Sequence, residues 1–495
     1  MTEACSGSSL LIQRGAGVLL HINSLPGSEQ TGNLGESAYR FVDFLANSGF
    51  HYWQTLPITP THGDGSPYSS VSSFAGNPEF ICFQQLSSEK LADDKLCAIS
   101  PDDPQRWLAL AEFFKSNANT ELQNQYRQFI QEHSYWLDDY ARFQVLKLHF
   151  GQQAWTCWPE QYRDNPHNAE KLACKPALEA HYIQQFLFFR QWLQLKDYAN
   201  DHGIQLIGDL PIFVAHDSAD CWVHRQLFKL RADGSAEFVS GVPPDYFSAH
   251  GQRWGNPSFN WPQHQSENFN WWRQRITHHL ALFDLLRIDH FRGFEACWEI
   301  DSHEDNAING QWVKAPGEQL FQHLIKKNLA EQSSPLPIIA EDLGVITPAV
   351  EALRDRFGFP GMKILQFAFD GDNRNPYLPH NHCNNSVVYT GTHDNDTTLG
   401  WARELSPEQR QQIHDYFGRG INDDAIVDIL LRAALASVAQ LVIVPLQDIL
   451  RLGSDRRMNI PGTQQGNWRF RFHWSEFKSE DCTRLRQLNR LYGRS

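Results

Sequence analysis

Cationic charge is scarce in this sequence: 43 Lys and Arg stand against 57 Asp and Glu, a formal net charge of -14 at pH 7. Nucleic acids and anionic membranes select basic surfaces, so neither is expected as a partner, whereas an uncharged substrate would be indifferent to that balance. Paired cysteines are lacking too. The nine Cys are odd in number and scattered, without a CxxC anywhere, which excludes a disulfide framework and the usual structural zinc sites. Buried free thiols in a reducing compartment are the simpler account. No apolar stretch approaches the roughly 20 residues of a membrane span. The opening MTEACSGSSLLIQRG carries an acidic residue and no sustained apolar run, unlike a signal peptide. A cytoplasmic protein is the expectation.

What is abundant is aromatic: 16 Trp, 14 Tyr and 32 Phe. Most such rings fill the core of a large protein, but flat apolar faces with polar edges also suit sugar rings. Short apolar runs recur at Gly17–His21, His51–Ile58, Ile204–Leu210, Leu285–Asp289, Pro337–Asp342, Met362–Phe369, Ser386–Thr392 and Leu441–Pro445. They read as parallel strands buried on both faces, with helical stretches such as Glu36–Asn47 and Ala425–Ala439 between them. This α/β alternation predicts a closed (β/α)₈ TIM barrel, with a doubly wound open sheet as the alternative. The chain, 1–495, is then a single catalytic barrel carrying inserted subdomains. A polar, helix-prone stretch at 83–180 is expected as an insertion after the second strand, and the Pro-, Gly- and Trp-rich stretch at 211–270 as one after the third.

Active sites of such barrels lie at the C-terminal ends of the strands. Those positions hold Asp209, Arg287, Asp289, Glu341 and the run His393-Asp394-Asn395-Asp396. Singly, each could be a helix cap or a satisfied ion pair; together they suggest a metal site or acid/base work on a glycosidic bond. Arg287 lies two residues before Asp289, so both project to one face of a strand. A guanidinium there competes with a cation and holds the aspartate ionised, so glycoside chemistry fits better and no metal is assigned. Retaining enzymes set a nucleophilic carboxylate about 5–5.5 Å from a protonated acid. Asp289 and Glu341, on adjacent strands, suit that pair, with Asp394 as a third carboxylate favouring the oxocarbenium-like ring.

The motifs GDGSPYSSVSSFAGNP (63–78), GDLPIFVAHDSADCW (208–222), GVPPDYFSAHGQRWGNP (241–257), LRIDHFRG (286–293), IIAEDLG (338–344), YTGTHDNDT (389–397) and RMNIPGT (457–463) occur in order. In this the chain resembles the amylomaltases, or 4-α-glucanotransferases, of glycoside hydrolase family 77, from Gly15 to near its end. The resemblance implies transfer of α-1,4-glucan segments to glucose or glucan acceptors, with maltooligosaccharides, starch or glycogen chains as partners and no cofactor. It implies Asp289 as nucleophile, Glu341 as acid/base and Asp394 as transition-state stabiliser. Arg287 and His393 would flank the cleavage point, Asp209 would contact substrate and Tyr68 would stack on it. Tyr246, Phe247 and Trp254 would form an aromatic lid that excludes water, faced across the groove by Asn459 and Pro461.

One departure bears on specificity. Many relatives read Ser-Glu-Thr after the Tyr-Phe pair, whereas this chain reads Ser248-Ala249-His250, so an acidic side chain near the cleft is missing. The related α-amylases usually carry a C-terminal β-sandwich, and too few residues follow the last motif here to form one. Two other functions stay open on the residues alone. An α-amylase-like hydrolase would use the same triad with water as acceptor. A non-catalytic glucan-binding barrel would be unaffected by Asp289→Asn.

Overall fold

The computed structural model describes residues 14–27, 31–101, 103–172, 175–244, 248–328, 336–418, 422–463 and 465–495. Near-continuous apolar strands need cover on both sides, and a closed barrel wrapped by helices supplies it. Among the described residues twelve strands form in chain order: β1 Gly15–Leu19, β2 Tyr52–Gln54, β3 Gln205–Pro211, β4 Phe238–Val242, β5 Gln252–Pro257, β6 Leu285–Asp289, β7 Ala296–Asp301, β8 Gly310–Lys314, β9 Ile338–Ala340, β10 Gly361–Ile364, β11 Ser386–Tyr389 and β12 Leu441–Pro445. Eight of them, β1-β2-β3-β6-β9-β10-β11-β12, close in that sequence into an all-parallel barrel, with β12 returning to β1. The predicted TIM barrel is present, and each of the eight expected runs contributes one of its strands. The open doubly wound alternative is excluded by the β1–β12 ladder, in which Gly15 to Leu19 pair with Leu441 to Pro445. No strand follows β12 among the described residues.

Between β2 and β3 the chain is helical, dominated by Gln105–Asn117, Thr120–His149 and Lys175–Asp201. These helices meet through rings: Phe129 lies 5.7 Å from Phe186 and 5.6 Å from Phe189. The segment joining β2 to this helical unit carries Tyr68 and is seated tightly. A Cβ on Gly76 would overlap the Phe188 ring, so only glycine lets the loop lie on the Lys175–Asp201 helix. Buried His278 and His279, on helix Asn270–Leu282, approach the carbonyls of Phe74 and Ser73 at 2.9 Å and tie the same loop to the barrel wall.

A second sheet, ordered β5-β4-β7-β8 and antiparallel, stands beside the barrel mouth. It had no counterpart in the sequence reading. Its strands come from two connections, β4 and β5 from that between β3 and β6, β7 and β8 from that between β6 and β9. The stretch 211–270 therefore does not form a unit of its own.

Candidate active site

The side chains gathered at the C-terminal rim owe their places to strand register. Asp209 pairs in register with Arg287 across β3 and β6, and Asp289 ends β6. Arg287 is buried and divides its guanidinium. Its Nη1 donates to both Asp209 oxygens at 2.7 and 2.6 Å, and Nη2 donates to Asp289 Oδ1 at 2.9 Å. Tyr68 donates its hydroxyl to Asp209 Oδ2 at 2.7 Å. The Tyr68 ring in turn stacks on the imidazole of His393, 5.2 Å between centroids and 16° between planes. Thus Tyr68, Asp209, Arg287, Asp289 and His393, spread over more than 300 residues of sequence, form one contact chain.

Glu341 follows β9 immediately. Its Oε2 accepts the N–H of His290 at 2.7 Å and its Oε1 that of Leu343 at 2.8 Å. His290 can offer its N–H because it adopts a left-handed conformation, φ 51°, directly after Asp289. The residue next to one carboxylate therefore holds the other. Asp394 sits in the loop after β11, half exposed. Asn459 Nδ2 donates to its Oδ1 at 2.7 Å, and His393 Nε2 lies 3.4 Å from its Oδ2. Arg457 Nη2 donates to the Asp394 carbonyl at 3.0 Å.

Trp254, on β5, meets the His290 ring edge to face at 4.9 Å and leaves 38% of its surface exposed. Pro461 lies in an exposed turn two residues past Asn459. Tyr246 and Phe247 fall outside the described residues, though the segment that follows them is anchored. Ser248 Oγ donates to the Gly251 carbonyl at 2.7 Å, and Ala307 N donates to the His250 carbonyl at 3.0 Å. Two contributors were given no role in the sequence reading, although His290 stands in the rim run Arg287-Ile288-Asp289-His290. His290 acts through its backbone, and only its position beside Asp289 could have flagged it. Trp468, with φ 63°, packs 5.9 Å from Tyr68 and 6.0 Å from His393. It stands just beyond the last motif, in a loop without periodicity to mark it.

The electrostatics correct one expectation. Arg287 was assigned to hold Asp289 ionised, and the contact exists, but Asp209 takes the larger part of that guanidinium. Burial pushes the Asp289 carboxyl up to about 8; Arg287 opposes this, while Asp209, Glu341 and Asp394 add to it. Glu341 is also raised by burial, against the pull of Arg287 and of its two backbone donors. Burial works against the charge of Arg287 too, yet the flanking Asp209 and Asp289 hold it firmly cationic. Burial raises the Tyr68 phenol well above its ordinary value, with Asp209 adding to the shift, so it stays a proton donor. His393 is lowered by burial, with Asp394 opposing, and stays neutral near pH 7. Among the described residues no group of three His, Cys, Asp or Glu side chains is arranged to hold a metal ion.

A parallel eightfold barrel with paired carboxylates at its C-terminal rim and a third in a facing loop defines a class, the barrel enzymes that act on glycosidic bonds. Comparison with known proteins narrows the class. The family model described as 4-alpha-glucanotransferase, of glycoside hydrolase family 77, matches residues 20–477. The 4-alpha-glucanotransferase of Thermus thermophilus is 45% identical over 96% of this chain and 98% of its own length. The chloroplastic/amyloplastic enzyme of Solanum tuberosum is 40% identical, covering 97% of this chain and 87% of its own. The amylomaltase of Streptococcus agalactiae, solved in complex with acarbose, superimposes with a TM-score of 0.91 at 38% identity, over 98% of this chain and 100% of that one. The chain belongs to the 4-α-glucanotransferase family, and its activity is the transfer of 1,4-α-glucan segments.

Proposed function

We propose that this transfer is a retaining double displacement in which Asp289 is the nucleophile and Glu341 the acid/base. Asp394, held by Asn459 with His393 beside it, grips the distorted sugar, and Arg287 orders Asp289. Asp289 attacks C1 of the donor while Glu341 protonates the departing glycosidic oxygen. The leaving chain is released, and a glucosyl ester remains on Asp289. Glu341 then takes the proton of an acceptor 4-hydroxyl, whose oxygen attacks C1 and frees Asp289. Donors are maltooligosaccharides or the chains of starch and glycogen; acceptors are glucose or further glucans.

The observation that carries this reading is the backbone link between the two acids. The residue after Asp289 donates its N–H to Glu341, so nucleophile and acid/base share one rigid turn. Two acids held on one turn favour a single negative charge between them. Of the two, only Asp289 accepts a hydrogen bond from Arg287, which favours the charge on Asp289 and the proton on Glu341 against the burial that raises both. Tyr68, stacked on His393, offers its ring to a sugar face, and Trp254 does so beside Glu341. Tyr246 and Phe247 complete the lid with Trp254, and Pro461 borders the groove opposite. Cytoplasmic residence is supported by the cysteines: among the described residues no two of them form a disulfide, which suits a reducing compartment. No helix of the described residues is long and apolar enough to cross a membrane.

Maltotriose tests the reading. The expected products are glucose and a ladder of longer oligomers at nearly constant reducing ends; a steady rise in reducing ends would instead identify a hydrolase. Asp289→Asn and Glu341→Gln should each lower kcat by about a thousandfold or more. Retention of wild-type kcat by either would remove that residue from its role.

A further inference from the structure

Asp394 and His393 sit in a loop, yet the reaction needs them fixed to within about half an ångström. The loop leaves β11 at Thr390 and ends where helix Thr398–Glu404 begins. A single carboxylate from the neighbouring strand's exit holds both ends. Asp448, on the short helix Leu446–Ile449 after β12, is buried, and its Oδ2 accepts the hydroxyls of Thr390 at 2.5 Å and Thr398 at 2.6 Å. Its Oδ1 accepts the N–H of Thr398 at 2.7 Å. Three donors converge on two oxygens, and both threonines are themselves buried.

The rest of the loop is braced from inside. Gln366 Nε2 donates to the Asp396 carbonyl at 2.9 Å, and Asn395 Oδ1 accepts the Thr392 N–H and hydroxyl at 2.8 and 2.9 Å. Gly391 leaves room for this brace, because a Cβ at that position would fall 2.6 Å from Gln366 Nε2 and push the amide aside. Gln366 also reaches both ends, its N–H donating to the Thr390 carbonyl at 3.3 Å and its Nε2 to the Thr398 hydroxyl at 3.4 Å, but Asp448 grips both threonines through shorter contacts to a carboxylate. We propose that Asp448 is a positioning residue for the reaction: it clamps the two ends of the segment 390–398 and thereby sets where Asp394 and His393 meet the sugar. It touches no reacting atom and acts through Asp394. The inference rests on the role proposed for Asp394.

Both carboxylate oxygens serve the clamp as acceptors. An amide at this position can keep one oxygen on the Thr398 N–H while its NH₂ meets the two hydroxyls, which must then turn their own protons elsewhere, and it forfeits the charge-assisted strength of all three contacts. Asp448→Asn should therefore loosen the loop without emptying the core. A displacement of this kind lowers kcat by about tenfold to a hundredfold while leaving KM for maltotriose nearly unchanged. Thr390→Val and Thr398→Val remove one hydroxyl each and should give smaller losses of the same type. The matching Thr→Ser variants, which keep the hydroxyl, should restore kcat. These threonine variants decide the question if Asp448→Asn does not fold.

The decisive measurement is a double-mutant cycle with Asp394→Asn, read as kcat on maltotriose. If Asp448 works through Asp394, Asp448→Asn costs little further kcat once Asp394 is Asn. Full additivity, a wild-type kcat for Asp448→Asn, or threonine effects confined to stability would overturn the clamp. A wild-type kcat for Asp394→Asn alone would instead overturn the proposed role of Asp394, so the two failures are distinguishable.

Discussion

Arg287 lies between two carboxylates of unequal standing. Asp209 is fully buried and holds two short contacts, while Asp289 keeps 29% of its side chain open and holds one. Asp209 thus draws positive charge away from the nucleophile and adds a negative neighbour to it; both effects raise the Asp289 carboxyl. Removing that negative charge by Asp209→Asn should lower it. In the proposed mechanism Asp289 reacts as the anion, so the acid limb of kcat/KM should then move to lower pH, even though a weakened Tyr68 contact reduces the rate overall. An acid limb that stays in place or moves upward would show that Asp209 does not tune the nucleophile. The sequence made Asp209, Arg287 and Asp289 legible because period two puts Arg287 beside Asp289 and strand ends mark a barrel's rim. The unequal division of the guanidinium was not legible, since it depends on which carboxylate the fold buries.

Among the elements, the barrel strands were the most readable, because burial on both faces writes them as unbroken apolar runs. β6 and β12 match the expected bounds, while β2 and β9 are shorter than their runs: buried Leu56 and Ile58 carry the first run on into a loop, and β9 gives way at Glu341. What closes the far end of the barrel was not readable. Arg494 is wholly buried and donates to the carbonyls of Leu435 at 2.7 Å, Gly15 at 2.9 Å, Ala439 at 3.0 Å and Gln440 at 3.1 Å. It thereby joins the C-terminus of helix Asp423–Ala436 to the entries of β1 and β12, where a cation also suits the helix dipole. No pattern of period two or 3.6 announces such a residue. Arg494→Ala removes a buried guanidinium and its charged hydrogen bonds, although Arg14 still donates to Leu435 and Ala439 and the Gly15 N–H to Gln440, and should cost about 3 kcal/mol of unfolding free energy. Lys restores the charge but not the planar fork, so Arg494→Lys should recover only part of it. Denaturant unfolding checks both, and the native protein should keep its kcat, because Arg494 lies at the end of the barrel opposite the carboxylates. An unfolding midpoint unchanged in Arg494→Ala would refute the staple.

At the scale of the whole molecule, the wall beside Glu341 is assembled from two distant connections. β4 and β5 carry the segment that follows Tyr246 and Phe247, and β7 and β8 lock onto them in register, Gly241 against Trp298 and Trp298 against Trp312. Sequence reading placed the lid in one insertion because its aromatic residues cluster there. It could not pair that cluster with strands lying beyond β6, since antiparallel partners far apart in sequence share no local signal. The consequence is mechanical: Trp254 rides on a sheet fixed at both edges of β4 and presses on His290, whose N–H holds Glu341. In the proposed mechanism its indole, packed on His290, occupies space that water would otherwise enter while the glucosyl ester waits. Trp254→Ala opens that space and leaves the carboxylates in place. The share of turnovers ending on water should then rise several-fold, seen as reducing ends formed per glucose released from maltotriose. Total turnover should fall less than transfer does. If transfer and hydrolysis fall together, Trp254 binds the acceptor without excluding water, and the protection of the intermediate must come from the rest of the lid.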